Sequence, residues 1–309
     1  MQATPIRIGT RGSPLALAQA HEVRARLMTA HGLAESAFEI RIIKTTGDAI
    51  LDRPLSEAGG KGLFTKEIED ALINREIDLA VHSMKDMQTA LPEGLGIAAT
   101  LPREDVRDAF ISARYRSLAD LPGGAKVGSS SLRRQAQIKR ARPDLEVVQF
   151  RGNVQTRFRK LEDGVAEATF LACAGLNRLG YADRITERIA TETMLPAVAQ
   201  GAIGIETAIE NTQIARILAP LNDEAASLCT TVERVFLARL EGSCRTPIAG
   251  LAELSGGQLR FRGEILTPDG REHHAVDRTC APSQGAELAR RAADDLLARA
   301  GRDFFRVGA

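Results

Sequence analysis

A single thiol opens the chemical reading of this chain. Cys244 lies in Leu240-Glu241-Gly242-Ser243-Cys244-Arg245-Thr246-Pro247, directly after a long amphipathic pattern ends. Thiols attack only as thiolates, and a neighbouring cation with partial exposure favours that form; Arg245 supplies the charge, and Gly242, Ser243 and Pro247 a turn-forming setting. The same residues equally suit an inert loop cysteine, because no Cys-x-x-Cys or metal-spaced histidine accompanies them. A second group of reactive types follows the apolar run Ile77-Asp78-Leu79-Ala80-Val81, where the chain continues His82-Ser83-Met84-Lys85-Asp86. Ligands of open α/β sheets bind at the carboxyl ends of strands, which makes Ser83, Lys85 and Asp86 candidates for chemistry. The plainer alternative is a solvated Lys-Asp turn beside a hydrogen-bonded structural histidine. Gly-x-Ser-x-Gly is absent, so no hydrolase triad is expected.

A third group is cationic. Between Arg133 and Lys160 stand nine basic residues and two acidic ones, an excess of seven positive charges. Lys139, Arg140, Arg159 and Lys160 fit a solvated face, whereas Arg133, Arg134 and Arg151 follow the ends of predicted strands. Arginine's planar fork matches a carboxylate two bonds at a time, which suits several carboxylates held in a cleft. A nucleic-acid partner is disfavoured, since tryptophan is absent, aromatics are 4% of the chain, and the cations sit at separate strand ends. Near the N-terminus, Gly9-Thr10-Arg11-Gly12-Ser13-Pro14 closes a strand and opens a helix, with Ser13 suited to the N-cap and Arg11 adding a full charge where free N–H groups attract anions. In Gly59-Gly60-Lys61-Gly62 three glycines surround one exposed cation; no Ser or Thr follows Lys61, which excludes a Walker loop.

These groups need a scaffold, and 309 residues allow two or three domains with separate cores. A 44% apolar and 26% charged composition is that of an ordinary globular protein, and the net charge of +1 excludes a uniformly basic surface. No run approaches the roughly 18 apolar residues of a membrane span, and the first residues lack a signal-peptide core, so a cytoplasmic location without membrane attachment is expected. The four cysteines at 173, 229, 244 and 280 are scattered and expected to be free thiols.

Strands are predicted at Ile6 to Ile8, Phe38 to Lys44, Ile77 to Val81 and Leu95 to Ala99, with helices after Ser13 and around Phe64 to Leu72. Pro102 to Asp105 reads as a crossing into a second domain that repeats the plan. Its strands are Asp108 to Ser112, Ala125 to Gly128, Val147 to Gln149 and Ala168 to Ala172; Ser129-Ser130-Ser131 opens one helix, and others carry Arg157 and Arg178. Leu195 to Glu206 reads as the return crossing, and two crossings make a hinge. A helix with Leu228, Val232, Val235, Phe236 and Leu240 then delivers the chain to Cys244. Alternating strands at Ile248 to Leu254, Leu259 to Leu266 and Arg271 to Thr279, with a last helix near Ser283 to Ala300, form a small α+β domain.

Six stretches, in order, resemble the porphobilinogen deaminase family: Thr10-Arg11-Gly12-Ser13-Pro14-Leu15-Ala16-Leu17, Gly59-Gly60-Lys61-Gly62-Leu63-Phe64, Val81-His82-Ser83-Met84-Lys85-Asp86, Ser130-Ser131-Leu132-Arg133-Arg134, Arg151-Gly152-Asn153-Val154 and Leu240-Glu241-Gly242-Ser243-Cys244. The resemblance implies a transferase of porphyrin biosynthesis. It joins four porphobilinogen molecules head to tail with loss of ammonia, on a dipyrromethane cofactor carried by a thioether at Cys244, and releases 1-hydroxymethylbilane by hydrolysis. It further implies that Asp86 is the catalytic carboxylate, and that Lys85, Ser131, Arg133 and Arg134 hold the cofactor. Arg11, Ser13, Arg151, Arg157 and Arg178 would bind substrate carboxylates, and Lys61 would lie on a mobile loop over the cleft. No metal is implied. Two positions depart from the family pattern: Gln88 stands where proline often follows the His-Ser-x-Lys-Asp segment, and Ala199 where glycine is usual.

The fold expected is α/β: two doubly wound, periplasmic-binding-protein-like domains joined by two crossings, plus a small α+β C-terminal domain. The domains expected are 1–101 with 202–219, 107–195, and 224–309. Expected partners are porphobilinogen and its oligopyrrole intermediates, with no nucleic acid, on a monomeric chain. The contrasting reading is a non-catalytic two-domain anion-binding protein, which would have no use for Cys244.

Overall fold

The computed structural model describes residues 4–49, 62–242, 246–301 and 304–306. In chain order its elements are β1 (Ile6–Thr10), α1 (Pro14–His31), β2 (Phe38–Ile42), α2 (Thr46–Ala49), α3 (Lys66–Ile73), β3 (Leu79–Ser83), β4 (Leu95–Thr100), β5 (Asp108–Ile111), β6 (Lys126–Gly128), α4 (Leu132–Ala141), β7 (Glu146–Val148), α5 (Val154–Glu162), β8 (Ala168–Ala172), α6 (Cys173–Arg178), β9 (Glu187–Arg188), β10 (Ile203–Ala208), α7 (Thr212–Leu218), α8 (Glu224–Arg239), β11 (Ile248–Ser255), β12 (Gln258–Leu266), β13 (His273–Cys280) and α9 (Gly285–Ala300).

Two five-stranded sheets share one plan. The first runs β2-β1-β3-β10-β4 and the second β7-β6-β8-β5-β9. In each, three parallel strands are followed by one antiparallel strand, β10 or β5, and then an outer strand antiparallel to that one. The antiparallel member is the first strand laid down after a crossing, so the chain enters each sheet against the direction of its neighbours. This order is the expected doubly wound build, and side-chain alternation explains why both faces are covered. Along β3, Leu79 and Val81 join the core containing Ala20, Val23 and Leu27 of α1, while Ala80 joins the one containing Ile68 and Leu72 of α3. Along β5, Phe110 packs with Ile138 of α4, and Ala109 and Ile111 pack with Phe158 of α5 and Leu176 of α6.

The third sheet, β11-β12-β13, is antiparallel. Its inward residues Ile248, Ala252, Phe261 and Ile265 pack against Val232 and Phe236 of α8 and Ala289, Ala293 and Leu296 of α9. By mutual contacts the chain divides into Met1–Glu104 with Ala202–Ser227, and Asp105–Gly201 with Leu228–Ala309. The third sheet thus groups with the second unit. Within that unit Leu195 packs with Ala249 and Leu251, and Arg262 reaches Glu192 at 3.0 Å and the Thr191 hydroxyl at 2.8 Å. Gly270, at φ +72°, closes the approach: a Cβ there would lie 2.4 Å from the Ala136 carbonyl oxygen and 2.7 Å from the Arg140 backbone nitrogen of α4.

Differences from the sequence expectations are local. The strand expected at Ile77 to Val81 runs on through His82 and Ser83, because β10 pairs with it as far as Ser83. The two-residue β9 has no hydrophobic period to announce it.

Candidate active site

In the first unit, β1 ends beside the start of α1. Ser13 caps that helix, its Oγ accepting from the Ala16 N–H at 3.3 Å, with Pro14 in the first turn. Arg11 is turned inward: its guanidinium grips the Asp48 carboxylate through Nε at 3.1 Å and through Nη2, and lies 4.1 Å from the centre of the Phe64 ring. Burial pushes the Asp48 carboxyl up, but the bonds from Arg11 and Thr45 outweigh it and hold the group below its ordinary range.

After β3 a single 3-10 turn, Met84–Asp86, leaves Asp86 exposed while Met84 is buried beneath it. Met84 anchors the turn. Its N–H donates to the Ala202 carbonyl at 3.1 Å, and its side chain fills the space over Gly204, where a Cβ would be 2.8 Å from Met84 Cγ. The result is a small pocket of about 50 Å³ lined by Arg11, Ser13, Phe64, His82, Ser83 and Asp86 among others. Ser83 Oγ is held by the buried Gln19 side chain, accepting at 2.8 Å and donating at 3.1 Å. His82 pairs at 3.0 Å with Glu206, which is fully buried, and Glu69 is buried close by; burial, and then the Glu206 charge, push the Glu69 carboxyl up. Lys85 is half-buried.

In the second unit the same strand-to-helix device recurs at β6 and α4. Ser131 is the N-cap, accepting from the Arg134 N–H at 3.5 Å, and Arg133 and Arg134 occupy the first turn. Positive side chains there oppose the helix dipole. Asp108, the first residue of β5, offsets both: Arg133 Nη2 reaches Oδ2 at 2.7 Å, and Arg134 reaches Oδ1 through Nη2 at 2.7 Å and Nε at 3.2 Å. Both arginines are about 95% buried, and Asp108 is wholly so. Desolvation alone would raise this carboxyl, yet the two guanidiniums and Gln200 hold it far below the usual carboxylate range. Cys173 sits nearby as an inert thiol, its pKa pushed up to about 12 by burial and then by Asp105 and Asp108.

The remaining cations are less enclosed. Arg151 and Arg157 are half-buried and flank the turn at Gly152, whose φ of +122° and close approach to Thr156 (2.6 Å from an added Cβ) require glycine. Asn153 caps α5 by accepting from the Thr156 N–H at 2.9 Å, and Arg157 Nε donates to the Gly152 carbonyl at 2.9 Å. Arg178, half-buried at the end of α6, donates to the Gly201 carbonyl at 3.0 Å.

The structure therefore gathers Arg11, Ser13 and Asp86 at one pocket, Ser131, Arg133 and Arg134 at one helix start, and Arg151 with Arg157 at one turn. Lys61 and Cys244 lie outside the described residues. The approach to Cys244 is described as far as Gly242: α8 ends in a Schellman turn, with the Gly242 N–H donating to the Leu237 carbonyl and the Glu241 N–H to Ala238, both at 3.0 Å. Glu241 adopts φ +52°, and a Cβ on Gly242 would meet Ile248 at 2.4 Å. Sequence reasoning passed over Asp48, Glu69, Asp108, Gln200 and Glu206. The available signal was a carboxylate heading or ending an otherwise apolar strand, as in Asp108-Ala109-Phe110-Ile111. Of the two departures, Ala199 takes φ +57°, the left-handed backbone that explains why glycine suits the position, and the Gln88 side chain lies over Gly62. Among the described residues no group of three or more His, Cys, Asp or Glu could hold a metal ion, and no helix is long and apolar enough to cross a membrane.

Residues 6–216 match the description "Porphobilinogen deaminase, dipyromethane cofactor binding domain", and residues 227–298 "Porphobilinogen deaminase, C-terminal domain". A curated porphobilinogen deaminase of Paracoccus denitrificans is 62% identical over 301 residues, 97% of this chain and 96% of that protein. Similar solved structures include a periplasmic substrate-binding protein of an ABC transporter from Coxiella burnetii, at 13% identity and TM-score 0.43 over 72% of this chain and 94% of that one. Another is a nutrient-binding protein from Burkholderia cenocepacia bound to methionine, at 13% identity and TM-score 0.41 over 69% and 90%. On the family match along nearly its whole length, the chain belongs to the porphobilinogen deaminase family.

Proposed function

We infer that the chain is a hydroxymethylbilane synthase: it condenses four porphobilinogen molecules head to tail, expelling one ammonia at each joining, and releases 1-hydroxymethylbilane when water takes the place of the enzyme-bound primer. The reading is carried by the pocket that sets the exposed Asp86 carboxylate beside Arg11 and Ser13. Each pyrrole bears an acetate and a propionate, and the donors present, guanidiniums and capping hydroxyls, are those that such carboxylates take. The dipyrromethane cofactor of the family, bound through Cys244, would supply the pyrrole carbon to which the first substrate is joined; the guanidiniums of Arg133 and Arg134, the Ser131 hydroxyl and the Lys85 ammonium are each of the kind that its carboxylates take.

In this reading Asp86 does the chemistry. Its carboxylate accepts pyrrole N–H groups, favours the cation left when ammonia departs by placing an opposite charge against it, and then helps remove the ring proton after carbon–carbon bond formation. Arg11 contributes a cation already fixed by Asp48, so its geometry is set before substrate arrives. Ser13, Arg151, Arg157 and Arg178 orient substrate carboxylates. The expected three domains, the monomeric state and the cytoplasmic location complete the proposal.

The test is stoichiometric. Incubated with porphobilinogen, the chain should release four ammonia molecules for each linear tetrapyrrole. Binding of porphobilinogen without ammonia release would favour the anion-binding alternative.

A further inference from the structure

Asp108 is used by no step above, yet its buried carboxylate is shared by three other side chains. One side chain, fully buried at the first position of β5, accepts from Arg133, Arg134 and the Gln200 amide, the last at 3.0 Å. Gln200 also donates to the Val106 carbonyl at 2.8 Å. The Leu195 carbonyl receives Arg133 Nη1 at 2.8 Å and the Gln137 amide at 3.0 Å, and the Phe170 carbonyl receives Arg134 Nη1 at 2.9 Å. Three parts of the chain thus meet on this one carboxylate: the head of β5, the first turn of α4, and the segment 195–200.

Two guanidiniums side by side in a desolvated place repel one another, and burial pulls the Arg133 proton affinity down while Asp108 opposes that pull. With one carboxylate between them the pair carries a single net positive charge. Its fork atoms are also fixed in direction, because Nε, Nη1 and Nη2 of Arg134 and Nη1 and Nη2 of Arg133 already donate, while each terminal nitrogen keeps a second N–H. Arg133 Nε is buried without a hydrogen-bond partner among the described residues.

We propose that Asp108 is the positioning residue for the arginine pair: it sets the pair's net charge at +1 and aims it, with Gln200, so that the pair takes one pyrrole carboxylate of the bound cofactor. The proposal rests on the reading that Arg133 and Arg134 hold the dipyrromethane. Asp108 touches no substrate and acts only through the arginines.

The test uses the full chain, isolated with whatever cofactor it has assembled, and porphobilinogen as the probe. Asp108→Asn should keep the far-UV circular dichroism of the parent, but the fraction of chains carrying the two-pyrrole mass should fall about tenfold, as expected when a buried charge-assisted contact is lost. Asp108→Glu, which keeps the charge, should recover most of that loading. A purely structural carboxylate would not show this dependence on charge at constant fold. If Asp108→Asn fails to fold, Gln200→Leu removes one bond to the same carboxylate and should lower the fraction of chains carrying the two-pyrrole mass severalfold. Normal loading in Asp108→Asn, or in Gln200→Leu where Asp108→Asn does not fold, overturns the proposal. Arg134→Ala separates the two levels: normal loading in that variant removes the arginine reading itself, whereas lost loading there beside normal loading in Asp108→Asn removes only the role of Asp108.

Discussion

The two α/β sheets solve one problem in two ways. Each delivers a hydroxyl to a helix start and sets arginine beside it: Arg11 with Ser13 at the end of β1, and Arg133 and Arg134 with Ser131 after β6. In the first, the cation keeps 22% of its side-chain surface exposed and pairs with Asp48, which is 33% exposed, at the wall of a pocket. In the second, two cations 5% and 7% exposed share Asp108, which is inaccessible. The same local sequence device therefore yields a solvated ion pair in one place and a desolvated cluster in the other, and the choice is made by what covers the helix start. A partly exposed pair contributes little to stability, whereas breaking a buried cluster strands a charge.

Asp86→Asn sharpens the contrast most. Because Asp86 is exposed and closes a turn held by Met84, turnover should drop about a thousandfold with no change in the thermal midpoint, as read by ammonia release and calorimetry. Activity above a tenth of the parent's would refute its role. Arg134→Ala should behave differently, losing about 3 kcal/mol of stability as well as activity, since it leaves Asp108 short of a partner. Asp48→Asn should cost under about 1 kcal/mol in urea unfolding; a loss as large as that of Arg134→Ala would erase the distinction between the two sites.

Acidity gives an independent handle. Asp108 has a folded pKa depressed below its ordinary 3.8, so its contribution to stability is present above that value and is lost as pH falls through it toward the folded value. Glu69, in the first unit, is raised above 4.5, so its contribution is present below that value and is lost as pH rises through the folded pKa. Glu69→Gln should therefore gain stability relative to the parent as pH climbs above about 4.5, measured as the urea midpoint. An effect of opposite sign is expected at Ala199→Gly, where relief of the left-handed backbone should stabilise by about 1 kcal/mol in the same assay.

Much of this arrangement was legible in the sequence. Ser13-Pro14 and Ser131-Leu132 announce helix starts because capping chemistry is local. The alternation of β11, β12 and β13 is equally local, and strand register follows from which face must be buried. The solvation of the arginines was not legible. Arg11, Arg133 and Arg134 read alike as free cations, and their partners Asp48 and Asp108 lie 37, 25 and 26 positions away in sequence. An excess of seven positive charges from Arg133 to Lys160 thus overstates what a ligand meets, because Asp108 lies outside that stretch and neutralises one of them from within.

A covalent primer on Cys244 is tested most directly by the intact mass of the purified, denatured chain set against that of Cys244→Ser. A parent mass higher by two linked pyrrole units, absent from the variant, is the result expected. An unmodified parent, still unmodified after incubation with porphobilinogen, would contradict the covalent primer and with it the polymerisation mechanism.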